Sequence, residues 1–116
     1  MTLSTPRRPI MRLLDLLGQR WALRILWELR DGPLRSRALR QACDEISPTV
    51  LQKRVDELAG AGLIALNAKA GYELTSLGQE FYVAFTPLYR FADVWAAAQE
   101  EQGGEGRSSN PTDDAP

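Results

Sequence analysis

The chain has no histidine and a single cysteine among its 116 residues. The first absence removes the commonest general base and the commonest metal ligand together. The second excludes an internal disulfide and a cysteine-built zinc cluster, so nothing points to an oxidising compartment. No run of about 18 apolar residues occurs, so no membrane span is expected. Arg12 and Asp15 break the apolar stretch that follows Arg7 and Arg8, which argues against a signal peptide. Gly-rich phosphate loops and paired-carboxylate constellations are missing as well, so no enzyme chemistry can be assigned and no cofactor is expected. The cytoplasm is the location expected by elimination.

What is present describes one domain. The apolar fraction of 44% is enough for a core, and 25% charged residues is ordinary. The net charge of −1 hides an asymmetry. Residues 98–116 carry Glu100, Glu101, Glu105, Asp113 and Asp114 against Arg107. The remaining residues 1–97 hold 13 basic and 10 acidic side chains. Eight of the basic ones crowd between Arg20 and Arg54, which suits an anionic partner. Residues 1–9 read as a flexible arm, 10–100 as the domain, and 101–116 as a disordered acidic tail with nothing to bury.

Periodicity divides the domain. "IMRLLDLLG" puts Ile10, Leu13, Leu14 and Leu17 on one helical face. "QRWALRILWELRDGP" is apolar except for a stripe of Arg20, Arg24 and Glu28, so it predicts a central helix ended at Asp31-Gly32-Pro33. "LR" at 34–35 is long enough only for a minimal strand. "SRALRQAC" predicts a short helix with Ser36 as N-cap, burying Leu39, Ala42 and Cys43 and exposing Arg37, Arg40 and Gln41. In "ISPTVLQKRVDELAGAGLI", Ser47 is a good N-cap and Pro48 suits the first helical position. Leu51, Val55 and Leu58 form its inner face, and Thr49, Gln52, Lys53, Asp56 and Gly60 its outer one. "LIALN" and "YELT" around "AKAG" predict an antiparallel hairpin. "SLGQEFYVAFTPLYRFADVWAAAQEE" predicts a long helix kinked at Pro87. The fold class is mainly α with a small β-hairpin: a winged helix-turn-helix that dimerises through its terminal helices.

Several motifs in this order are specific. Leu17-Gly18-x-x-Trp21, Asp31-Gly32-Pro33-Leu34-Arg35, Ile46-Ser47-Pro48 with Val50-Leu51, Arg54, Glu57-Leu58, Ala61-Gly62-Leu63 and Leu74-Thr75 with Leu77-Gly78 resemble the HxlR-type winged-helix transcriptional regulators of bacteria, relatives of the MarR group. The resemblance spans roughly residues 10–96. It implies a homodimer on pseudo-palindromic double-stranded DNA, with 47–61 as the recognition helix. Two departures stand out. Wings of the family run about a dozen residues with Arg and Pro-Pro, whereas "NAKAG" carries only Lys69. Redox-sensing members place a reactive Cys near the N-terminus, where this chain has none.

The residue chemistry suits such a role. Thr49, Gln52 and Lys53 lie where groove-inserted helices meet base edges, Gln on adenine and Lys on guanine acceptors. Ser47 and the helix N-terminus suit a phosphate through backbone N–H groups, and Pro48, which has no N–H of its own, belongs to the same expected DNA-binding set. Ser36, Arg37, Arg40 and the wing's Lys69 would meet the backbone. Arg54 fits a phosphate or an ion pair with Glu57 or Glu45 equally well. On the last helix Leu77, Phe81, Phe85, Leu88, Tyr89, Ala92 and Trp95 exceed what one small domain can cover, so with Ile10, Leu13 and Leu14 they form the expected dimer interface. The aromatics Trp21, Trp27, Phe81, Tyr82 and Trp95 are either core or the lining of a pocket for a small-molecule effector of unknown identity. Cys43 reads as a small buried apolar residue. The competing function is a winged-helix protein–protein interaction module without DNA binding, favoured by the short wing and acidic tail.

Overall fold

The computed structural model describes residues 8–103. Five helices and one hairpin run in the order α1 (Pro9–Leu17), α2 (Ala22–Glu28), α3 (Ser36–Ala42), α4 (Pro48–Gly60), β1 (Ile64–Asn67), β2 (Gly71–Leu74) and α5 (Ser76–Gly103). Most of the arm at 1–9 and of the tail at 101–116 lies outside the described residues. Within them, Pro9 opens α1 and residues 101–103 belong to α5.

Helix α2 is the hub, packing against α1, α3, α4 and α5. Its Ala22, Ile25 and Leu26 are buried with Leu29, Leu39, Cys43, Leu51, Val55, Leu58 and Leu63 in one core. Full burial of a Leu or Ile side chain is worth about 1.5–3 kcal/mol, which makes this cluster the main source of stability. The helix is shorter than its apolar run predicts. Trp21 adopts a left-handed backbone (φ 77°) and serves as N-cap, so helix begins only at Ala22. The predicted polar stripe faces protein as much as solvent. Arg24 pairs with Glu28 at 2.8 Å and donates to the Ala42 carbonyl at 2.6 Å.

Ser36 is not an N-cap. Arg35 holds that position, and Ser36 is already the first residue of α3 with no side-chain cap bond. The reason is the preceding strand. Leu34 exchanges backbone hydrogen bonds with Tyr72 at 2.9 and 2.8 Å, which keeps residues 34–35 extended as the minimal third strand of the wing. Helix α4 begins as expected: Ser47 Oγ accepts from the Val50 N–H at 3.2 Å, and Pro48 follows. It ends in a Schellman arrangement, with Leu63 N–H on the Leu58 carbonyl and Gly62 N–H on that of Ala59.

In the hairpin, Ile64 faces Leu74 and Asn67 faces Gly71, so the turn is only Ala68–Ala70. Gly71 therefore belongs to the strand. Its φ of +105° and its contact with the Leu34 backbone leave no room for a side chain. Thr75 bridges hairpin and helix: its N–H donates to the Leu63 carbonyl and its hydroxyl to that of Gly62. Helix α5 then continues past Pro87 to Gly103.

Candidate nucleic-acid interface

Burial orients α4. Leu51, Val55 and Leu58 are sunk in the core, and the same 3.6-residue period turns Thr49, Gln52, Lys53 and Asp56 to solvent. Among the described residues, Thr49 and Lys53 make no side-chain hydrogen bond or ion pair. Gln52 donates one amide N–H to Asp56 at 2.9 Å. That leaves its carbonyl and its second N–H, the pair a bidentate adenine contact uses.

Ser36 and Arg37 are exposed on the first turn of α3, and Arg37 has no partner among the described residues. The wing tip is short but ordered by its own bonds. Asn67 Oδ1 accepts from the Lys69 and Ala70 N–H groups at 2.9 and 3.2 Å. The Arg35 guanidinium donates to the Lys69 carbonyl, tying the tip to the start of α3. The Lys69 side chain remains exposed.

Two nominated arginines point inward instead. Arg40 donates Nε to the Ile46 carbonyl at 2.8 Å and lies 3.6 Å from the Glu45 carboxylate. Arg54, its side chain only 12% exposed, donates to the Arg20 carbonyl at 2.8 Å and pairs with Glu57 at 3.0 Å. Of the two alternatives for Arg54, the structure therefore shows the ion pair with Glu57, plus a carbonyl bond that the sequence did not signal. The importance of Arg24 and Asp44, paired at 3.3 Å beside the α3–α4 turn, was also missed. Their separation of 20 residues leaves no local trace.

The residues nominated for an interface between subunits divide. Phe81, Phe85 and Tyr89 are half-buried against their own chain, where Phe85 stacks on Phe81 and meets Tyr89 edge-on, and the Tyr89 ring centre lies 4.2 Å from that of Trp27. Leu13 packs on the core. Ile10 and Leu14 on α1, and Leu88, Ala92 and Trp95 on α5, stand exposed, joined by Phe91 and Val94. An open groove of about 370 Å³ lined by Leu13, Leu16, Leu63, Leu77, Phe81 and Glu80 runs between the two helices.

The aromatic candidates for an effector pocket also separate. Trp27 and Tyr82 lie together, ring centres 6.1 Å apart, with Arg30 stacked 4.0 Å over Trp27. The space left among them is about 10 Å³, room for one water. Trp21 does not line that space, and Trp95 is 55% exposed. Burial pushes the Tyr89 hydroxyl up to about 12, opposed by Arg30. Cys43 is fully buried, and burial raises its thiol to about 11 against the opposing charge of Arg24, so it is a core residue at neutral pH. Among the described residues no cluster of His, Cys, Asp or Glu could hold a metal ion, and no helix is long and apolar enough to cross a membrane.

Comparison with known proteins agrees with this geometry. A family model described as HxlR-like helix-turn-helix matches residues 16–100. An uncharacterised HTH-type transcriptional regulator of Synechocystis sp. is 27% identical over 93 residues, covering 75% of this chain and 69% of the relative. The crystal structure of quinone-bound YodB from B. subtilis is 30% identical, with a TM-score of 0.67 over 75% of this chain and 98% of that one. A regulator assigned to the MarR family, from Enterococcus faecalis V583, is 26% identical, with a TM-score of 0.67 over 86% of this chain and 97% of its own.

Proposed function

The chain belongs to the HxlR-like helix-turn-helix family of transcriptional regulators, and on that premise we propose that it is a homodimeric repressor that reads a pseudo-palindromic DNA site with α4 in the major groove. The observation that carries the proposal is the outer face of α4, where Thr49, Gln52 and Lys53 stand exposed within two turns of a capped N-terminus, beside the exposed Arg37. Pro48 has no N–H and the Val50 N–H is taken by Ser47 Oγ, so the start of α4 offers a phosphate the Thr49 N–H and the positive end of the helix dipole. Each good base contact from Gln52 or Lys53 is worth about 1–3 kcal/mol of discrimination. Arg37 and Lys69 fix register on the backbone.

A twofold pair places its recognition helices about 34 Å apart, one turn of DNA. The exposed Leu88, Phe91, Val94 and Trp95 of α5, with Ile10 and Leu14 of α1, supply the apolar surface such a pair needs. Nearly all of the domain is taken up by the reading and pairing elements, which suits action by occupying a promoter. Such a regulator works where its DNA is, in the cytoplasm. The quinone belongs to the B. subtilis neighbour. In the single chain described here the cluster around Trp27 and Tyr82 is packed shut, so a ligand of that size needs another place, and the α1–α5 groove has the volume.

The test is fluorescence anisotropy of the purified protein on its own upstream DNA across a salt series. Binding that is selective over random duplex, and that falls at least tenfold in Gln52→Ala/Lys53→Ala, is the expected result. Equal, weak binding to every duplex by wild type and variant alike would overturn the proposal and favour the interaction module.

A further inference from the structure

Among the described residues only three non-glycine positions have a left-handed backbone: Trp21, Asp44 and Glu45 (φ 77°, 59° and 61°). Each is held by an arginine. Arg54, on α4 itself, bonds the Arg20 carbonyl immediately before Trp21. Arg24 bonds the Ala42 carbonyl and the Asp44 carboxylate. Arg40 bonds the Ile46 carbonyl and sits 3.6 Å from Glu45. Residues with a Cβ rarely adopt this conformation, and they keep it only where the surroundings over-determine it. Two of the three sites form the turn that aims α4, and the third is reached from α4.

We propose that Arg24, Arg40 and Arg54 are positioning residues that hold the strained turn before α4 and the one at Trp21 that α4 reaches, and so set its angle to DNA, and that none of them contacts a phosphate. Three of the eight basic side chains between Arg20 and Arg54 are thereby engaged within the chain. Their forked guanidiniums suit the task, because each bonds a carbonyl and pairs with a carboxylate at once, which a lysine ammonium on a single flexible stem cannot reproduce. Arg24 illustrates the coupling: burial alone would lower its pKa, but the hydrogen bond and charge of Glu28, with the charge of Asp44, raise it overall. The functional half of this inference rests on the DNA-binding reading above.

Lysine substitution separates positioning from phosphate contact, because it keeps the charge and loses the fork. For Arg24→Lys, Arg40→Lys and Arg54→Lys, affinity for the selective site is expected to fall about tenfold. Affinity for random duplex and the slope of log K against log salt should stay at wild-type values. Arg37→Gln is the contrasting control, in which the slope shrinks by about 0.9 per lost phosphate contact. Full selective affinity in the lysine variants, or a slope that shrinks in Arg40→Gln or Arg54→Gln, would overturn the inference. Amide exchange in the free protein gives a readout without DNA. Faster exchange confined to residues 20–22 and 43–51 is expected. Unchanged exchange there, or exchange raised evenly through α1, α2 and α5, would overturn it. A wild-type protein that shows no selective binding sinks the regulator proposal alone and leaves the exchange result to decide the positioning.

Discussion

Cys43 shows how one residue couples the core to the charged turn. Its thiol is fully buried, and burial raises its pKa to about 11, with Glu28 and Asp44 adding to the rise and Arg24 opposing it. In the unfolded chain a thiol titrates near 8.5. The neutral thiol therefore supports the fold fully below about pH 8.5. That support drains away as pH rises toward 11, because the unfolded chain gives up its proton first. The loss is on the order of 2 kcal/mol. Urea midpoints from pH 7.5 to 10.5 should fall for wild type and fall less steeply for Cys43→Ala; parallel curves would show that the thiol is not the group responsible. At pH 8 a thiol reagent should modify native Cys43 far more slowly than the urea-unfolded chain. The burial was legible in the helical spacing of Leu39, Ala42 and Cys43, and Asp44 is the next residue, but Arg24 and Glu28 were not legible as neighbours, since they arrive from 19 and 15 residues away.

At the scale of elements, α4 was readable because its signals are local. Ser47 and Pro48 start it, a 3.6-residue apolar period sets its inner face, and Gly62 follows its end. The solvent-exposed face, proposed above to meet DNA, is the remainder of that pattern. The arginines were legible as charge but not as direction. Arg54 and the carbonyl it holds are 34 residues apart, and periodicity carries no information about so distant a partner. The misplaced cap at Ser36 has the same origin, since the Leu34–Tyr72 bridge that shifts the helix start is a long-range contact. Gly78, in the first turn of α5, makes a further long-range contact. A Cβ there would overlap the Leu63 carbonyl oxygen, which already accepts the Thr75 N–H. Gly78→Ala should cost about 1–3 kcal/mol, although alanine is the better helix former. A thermal midpoint at or above wild type would show that α5 can shift at no cost. Ser47→Ala should cost about 1 kcal/mol by removing the cap of α4.

The described residues are expanded for their number. Their radius of gyration is 16.4 Å, where a compact chain of this length has about 13 Å. The excess comes from α5, whose outer turns from Phe91 onward are exposed along their whole circumference. An apolar helix in that condition favours a second copy, and Leu88→Glu/Trp95→Glu tests it. Light scattering should give twice 12.9 kDa for wild type and one chain for the variant. A variant that remains dimeric would place the contact elsewhere, on α1 or the α1–α5 groove. Monomeric variants should also lose selective DNA affinity by a factor of ten or more, since half-sites are then bound singly.

The two hydrogen bonds of Thr75 and the close approach of Gly78 to Leu63 join the foot of α5 to the C-terminal end of α4. Helix α5 has 28 residues, and at 1.5 Å per residue it is about 42 Å long. It is therefore a lever with its fulcrum beside the end of α4. A tilt of about 5° at the fulcrum swings the far end by roughly 4 Å, about two-thirds of the pitch of one helical turn. In the proposed homodimer, a shift of that size between the two copies of α5 would re-aim the two copies of α4 with respect to each other. A ligand wedged between the long helices could loosen the protein's grip on its operator without touching a single residue that meets DNA.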